Sequence, residues 1–318
     1  MSVVLPSGEY RYNALDTWER LPDGVRLVES PGVAVNSKDE VHVLTRNENS
    51  EVLVFGSDGT FRRSFGREVF SDFSHGIYIG PDDSVYCADV GTHTITRFTP
   101  EGQLALTIGV PHKPSKMWSG EPFNRPTHVA VSPNTGDIFV SDGYGNSRVH
   151  RFTSQGEHVL SWGEPGIDPG QFIYPHNIVV DTDDRVYVAD RECHRVQVFD
   201  ANGRFITMWN NIFRPCGMTL GPDGNIYVGE LKSEGVADPP AGLGHRVSIW
   251  SLDGEQLARL GNAEVGEETG RFIAPHSVAV DSNLDIYVGE VTFSIGGGGR
   301  YMDPPIERRS LRKLSRIP

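Results

Sequence analysis

The chain has 318 residues, 37% of them hydrophobic and 22% charged, which is ordinary for a soluble globular protein with a large core. Its formal net charge of −13 repels a phosphate backbone on average, and no run of apolar residues reaches membrane-spanning length, so neither a nucleic-acid nor a membrane partner is expected. Three widely spaced cysteines, Cys87, Cys193 and Cys216, read as free thiols, and MSVVLPSGEYRYN has neither a basic n-region nor an apolar run, so a cytoplasmic location is expected.

The first predicted element is a strand within residues 9–21, around YRYNALDTWERL (Tyr10 to Leu21). From Pro31 onward one pattern recurs: a leading residue, an apolar strand, a tight turn, then an aromatic-rich strand. Its six copies are PGVAVNSKDEVHVLT, HGIYIGPDDSVYCAD, THVAVSPNTGDIFVSD, HNIVVDTDDRVYVAD, CGMTLGPDGNIYVGE and HSVAVDSNLDIYVGE, led by Pro31, His75, Thr127, His176, Cys216 and His276. The closing position falls 14 residues after the leader in five copies and 15 in the Thr127 copy; it is Thr45 in the first and Asp89, Asp142, Asp190, Glu230 or Glu290 in the others. After most copies come a third strand, a Gly turn and a fourth, as in HRVQVFDANGRFITMWN.

Four strands per unit, repeated six times, predict an all-β fold, a six-bladed β-propeller, as a single domain over residues 1–318 with blades starting near 31, 75, 127, 176, 216 and 276. The last unit has one outer strand near SLRKLSR and lacks a fourth, which the strand at 9–21 is expected to supply, removing an exposed edge. Arg308, Arg309, Arg312, Lys313 and Arg316 read as solvation of that last strand.

Successive strands alternate in direction, so the leading residues, the ends of the second strands and the loops between blades share one face. The long insertions Pro111 to Arg125, Glu164 to Phe172, Leu231 to Gly244 and Ser294 to Glu307 all fall there, which marks that rim as a ligand entrance.

His75, His176 and His276 lead blades two, four and six, so sixfold symmetry sets them about 120° apart with imidazoles able to converge. Three neutral imidazoles and an open fourth position suit catalytic zinc, although iron, cobalt, nickel or copper also accept nitrogen ligands. Pro31, Thr127 and Cys216 interrupt the ring, and Cys216 reads as lining. Arg46 and Arg191 follow the closing positions of blades one and four; they read either as two forks for a carboxylate or as partners of an acid such as Asp190 or Glu230. Tyr144 lies in SDGYGNSRV, where flanking glycines are expected to permit positive φ; beside a metal and an arginine, a tyrosine is a candidate general base. Asn146, two residues on, is a candidate substrate contact with Cys216. The acids, recurring in nearly every blade, read as structural.

The words PTHVAV, IFVSDGYGNSRV, GQFIYPHNIVV and VADRECHRVQVF resemble the NHL-repeat propellers, and among them the peptidyl-α-hydroxyglycine α-amidating lyases. The resemblance spans most of blades two to four and thins elsewhere. It implies that His75, His176 and His276 hold zinc, that Tyr144 is catalytic, and that Arg46 and Arg191 are active-site arginines. The implied reaction cleaves the N–C bond of an α-hydroxyglycine, giving an amide and glyoxylate. Ala274 and Ser277 stand where that family has methionine and a calcium-binding aspartate, so a structural calcium does not carry over; Gly145 replaces a disulfide cysteine. With neither a monooxygenase domain nor a secretion signal in these residues, the expected substrate is a small carboxylated hemiaminal, hydroxy acid or hydroxy amide. Two alternatives remain: a zinc hydrolase or hydratase acting on another small carboxylated substrate, and a non-catalytic NHL interaction scaffold.

Overall fold

The computed structural model describes residues 2–47, 49–232, 243–262, 264–294 and 306–318. The N-terminal strands are β1 (Ser2–Ser7) and β2 (Tyr10–Leu15). Blade one is β3 (Gly32–Val35), β4 (Val41–Leu44), β5 (Val52–Phe55) and β6 (Phe61–Phe65). Blade two is β7 (Ser74–Ile79), β8 (Val85–Asp89), β9 (Thr94–Phe98) and β10 (Leu104–Ile108). Blade three is β11 (His128–Val131), β12 (Ile138–Asp142), β13 (Arg148–Phe152) and β14 (His158–Trp162), with the one-turn helix α1 (Gly143–Asn146) after β12. Blade four is β15 (Pro175–Val180), β16 (Val186–Asp190), β17 (Arg195–Phe199) and β18 (Phe205–Trp209). Blade five is β19 (Pro215–Leu220), β20 (Ile226–Glu230), β21 (Arg246–Trp250) and β22 (Gln256–Leu260). Blade six is β23 (Pro275–Val280), β24 (Ile286–Glu290) and β25 (Leu311–Ile317), completed by β2 and β1.

These six antiparallel sheets are the six blades of an all-β propeller. The chain packs as two compact units: Met1–Asn47, Val52–Ser64 and Cys216–Pro318 form one, Glu48–Glu51 and Phe65–Pro215 the other. Blades one, five and six belong to the first, blades two, three and four to the second.

In the first unit, the N-terminal strand closes blade six as the sequence predicts: β2 pairs antiparallel with β25, Tyr12 opposite Arg316 and Ala14 opposite Leu314. Beyond the four strands the repeat predicts, β1 adds a fifth outside β2. Its alternation is poor, with four of its six residues exposed and Leu5 alone buried, so no period-2 signal announces it. The predicted strand also runs too long at its C-terminal end. Beyond Leu15 the chain leaves the sheet, and Trp18 packs 5.8 Å from Phe55 and 5.0 Å from Tyr287, between ring centroids.

In both units the second strands, such as VYVAD in blade four and IYVGE in blades five and six, are buried at every residue, because blades cover both faces. In the second unit, Ile138, Val140 and Phe152 of blade three pack on Tyr86, Ala88 and Ile95 of blade two. Outermost strands are more open: β10 exposes three of its five residues and β14 two, with one buried residue in each. The turn between first and second strands repeats as well: Asp181 accepts the backbone N–H groups of Asp183 and Arg185, and Asp281 those of Asn283 and Asp285. No helix among the described residues is long and apolar enough to cross a membrane.

Candidate metal centre

Each leading histidine occupies a break in strand pairing. The register passes from Ser74–Asp89 to Gly76–Ala88, a β-bulge at His75, and it shifts in the same way at His176 and His276 in their own blades. Blades one and three, led by Pro31 and Thr127, keep regular register. An extra residue of this kind re-aims its side chain away from the ladder, which frees the three imidazoles to turn inward.

Two of the rings are held at Nδ1. His75 Nδ1 lies 2.7 Å from the carbonyl oxygen of Thr127, and His276 Nδ1 lies 2.6 Å from that of Pro31, in each case the leading residue of the next blade. A carbonyl only accepts, so Nδ1 carries the proton and Nε2 keeps its lone pair, the tautomer a metal requires. All three histidines are buried, and they are a group that could hold a metal ion. The donor set fits a divalent transition metal.

Tyr144 reaches the same nitrogens in the second unit. Its hydroxyl oxygen is 3.0 Å from His75 Nε2 and 2.9 Å from His176 Nε2, and Arg191 Nη1 donates to it at 3.3 Å. Arg191's guanidinium carbon also lies 5.5 Å from the centroid of the Tyr144 ring. The expectation about the flanking glycines fails: neither Gly143 nor Gly145 has positive φ, which falls instead on Ser147 at 51°. The glycines are needed for space. A Cβ on Gly143 would sit 2.1 Å from the Pro175 carbonyl oxygen, and one on Gly145 would sit 2.1 Å from Asn124 Oδ1.

The recurring acids hold the loops that deliver the leading residues. Asp142 accepts the backbone N–H of Asn124, Asp190 that of Ile173 and Glu290 those of Ile273 and Ala274, each within three residues of its blade's leader. This is the structural duty the repetition predicts. Asn146, the candidate substrate contact, belongs to the same frame: its amide donates to Asp142 and to the Glu121 carbonyl, and its Oδ1 accepts from Gly120. Cys216 is fully buried among Leu231, Ile273, Ala274 and Val291. Ser277 hydrogen-bonds the N–H and the carbonyl of Val33 through its hydroxyl, tying β23 to β3.

The two arginines both engage acids, though not those named from sequence. Arg46 Nη1 is 3.1 Å from Glu29 and bonds Ser294 Oγ; Arg191 Nε is 2.7 Å from Glu192. Asp190 pairs instead with Arg195, and Glu230 faces Arg246. Glu29 and Glu192 escaped sequence reading. The available signals were Thr45, the one closing position without an acid, and the adjacency of Glu192 to Arg191. Tyr174, with φ of 60° and its ring 5.7 Å from that of Tyr144, was missed too.

The insertion at 111–125 docks on the tyrosine turn, with Trp118 N–H on the Gly145 carbonyl. The insertion at 164–172 docks near Arg191, where Arg195 bonds the carbonyls of Ile167, Asp168 and Gln171. Residues 233–242 and 295–305, most of the other two insertions, lie outside the described residues.

The NHL repeat model matches residues 123–152 and 172–199. Human NHL repeat-containing protein 3 is 32% identical over 281 residues, covering 81% of this chain and 76% of that protein. Peptidyl-alpha-hydroxyglycine alpha-amidating lyase 1 of Drosophila melanogaster is 33% identical over 270 residues, covering 77% of this chain but only 47% of that protein. The solved virginiamycin B lyase of Staphylococcus aureus shares the fold, with a TM-score of 0.58 at 16% identity over 91% of this chain and 96% of that one. The repeat match, a relative covered over 76% of its length and the six-bladed architecture together show that this chain belongs to the NHL-repeat β-propeller family.

Proposed function

We propose that this protein is a metal-dependent lyase that breaks the carbon–nitrogen bond of a small carboxylated α-hydroxyglycine-type hemiaminal. The observation that carries this reading is the meeting of one phenol oxygen with two imidazole Nε2 atoms and a guanidinium, at 3.0, 2.9 and 3.3 Å. Relatives named as α-hydroxyglycine amidating lyases support the reaction class. His75, His176 and His276 would hold the metal, with zinc the best match to three nitrogen donors. When bound, it supplies Lewis acidity toward an oxygen ligand.

Tyr144 acts as the base, taking the proton of the substrate's hydroxyl. Arg191, beside that oxygen, favours the charge Tyr144 carries before and after the transfer. The O–H electron pair becomes the second bond of the new carbonyl, the C–N pair leaves with nitrogen, and Tyr144 returns the proton there. The products are an amide and glyoxylate, with no water consumed and no net proton change. Arg191 binds the carboxylate, its planar fork suited to a planar anion. Arg46 is held by Glu29 and Ser294 and serves the same carboxylate only by sharing its guanidinium with them.

The test is incubation with α-hydroxyhippurate while glyoxylate release is followed. The account expects release, lowered at least ~100-fold in Tyr144→Phe. Absence of release, with turnover of a substrate that needs water, would replace the lyase by a hydrolase. Tyr144→Phe at full rate would remove the assigned base.

A further inference from the structure

We propose that Glu192, braced by Arg214, is a positioning residue that aims Arg191 at the Tyr144 hydroxyl. All four residues lie in the second unit. Arg191 sits in a single 3₁₀ turn, Arg191–Cys193, directly after β16. Arginine carries four rotatable bonds, and fixing it in one arrangement costs about 2 kcal/mol of side-chain entropy unless its polar groups are held. Glu192 supplies the hold: its Oε1 accepts Arg191 Nε at 2.7 Å and Arg214 Nη2 at 2.7 Å.

Geometry does the rest. With Nε tied to Glu192 and the guanidinium carbon 5.5 Å from the Tyr144 ring centroid and 6.0 Å from that of Tyr174, Nη1 points to the Tyr144 oxygen, 3.3 Å away. The two rings restrain the plane and the carboxylate fixes rotation within it. Arg214 in turn has an uncommon backbone for a residue other than glycine, with φ of 39°, and its N–H donates to His194 Nδ1. It is 5% exposed.

Charge explains why two arginines share one acid. A lone Glu192–Arg191 pair would neutralise the guanidinium that has to attract an anion. Arg214 restores one positive charge to the cluster, so Arg191 stays both oriented and cationic. An ordinary surface ion pair is worth little, but here the two guanidinium side chains are only 7% and 6% exposed.

The kinetic consequence rests on the lyase reading; the geometric one does not. Because both bonds fall on one oxygen, Glu192→Gln keeps an acceptor while Glu192→Ala removes it. In Glu192→Ala the KM for α-hydroxyhippurate is expected to rise about tenfold or more, and Glu192→Gln to return it to within about threefold of wild type. A purely structural role would lower the active fraction and leave KM unchanged in both variants. A shielding role would lower KM in both. Either result overturns the proposal.

A crystal structure of Glu192→Ala provides the second readout, independent of any activity. The proposal expects Arg191 Nη1 to have left the Tyr144 oxygen; an unchanged contact overturns it. If wild type releases no glyoxylate, the lyase reading fails, and this structural comparison still decides the role of Glu192. Should Glu192→Ala not fold, Arg214→Gln carries both measurements, with a raised KM and a displaced Arg191 expected.

Discussion

Gly143→Ala tests whether the tyrosine turn is held by close packing. The added Cβ would stand 2.1 Å from the carbonyl oxygen of Pro175 and 3.3 Å from Thr127 Cγ2. Real Cβ atoms essentially never approach closer than 3.0 Å, so backbone has to move by at least about 0.9 Å, the difference between 3.0 and 2.1. Pro175 cannot yield without cost, because its carbonyl also accepts the Thr127 hydroxyl at 2.9 Å and its neighbour His176 is buried. The turn is therefore the part that shifts, carrying the Tyr144 oxygen from its position 2.9 Å from His176 Nε2. Overpacking of this kind costs roughly 1–3 kcal/mol, which lowers Tm by a few degrees, and a displacement near 1 Å at a reacting group costs about 100-fold in rate. Thermal unfolding followed by circular dichroism and glyoxylate release from α-hydroxyhippurate measure the two effects on one preparation. Wild-type Tm and wild-type rate together would refute the packing argument.

Glu290→Gln leaves Arg312, 4% exposed, facing a neutral partner and weakens the hold on Ile273 and Ala274; a loss of about 3–5 kcal/mol in urea unfolding is expected, and less than 1 kcal/mol would contradict it. The Glu192 carboxyl is raised by burial but brought below the ordinary glutamate range by Arg191 and Arg214. A depressed folded value means its stabilisation is present at neutral pH and lost as pH falls through that value. The stability gap between wild type and Glu192→Gln should therefore be widest near neutrality and close in acid; a pH-independent gap would refute the charge linkage.

Much of the fold was legible because the repeat is a packing unit. Every copy needs a buried second strand, and five of the six carry an acid at its end, so the same physics writes similar letters along the chain. The histidines were legible for the complementary reason, as departures from the repeat at symmetric positions. Their supporting bonds were not, since Thr127 and Pro31 act through carbonyls that no side chain advertises. β1 lacks alternation because an outermost edge strand buries little. The glycines of the tyrosine turn were misread because glycine serves two purposes, conformational freedom and room, and only coordinates separate 2.1 Å crowding from positive φ. Both arginines carry acids beside them that sequence spacing pointed past, toward Asp190 and Glu230.

The central claim is that His75, His176 and His276 together hold a metal. Elemental analysis of the purified protein by mass spectrometry, after zinc supplementation and removal of loose ions, tests it most directly. The account predicts close to one equivalent of zinc or a similar divalent metal per chain, and near none in His176→Ala. Metal-free wild type, or a His176→Ala variant that keeps its full equivalent, would contradict it.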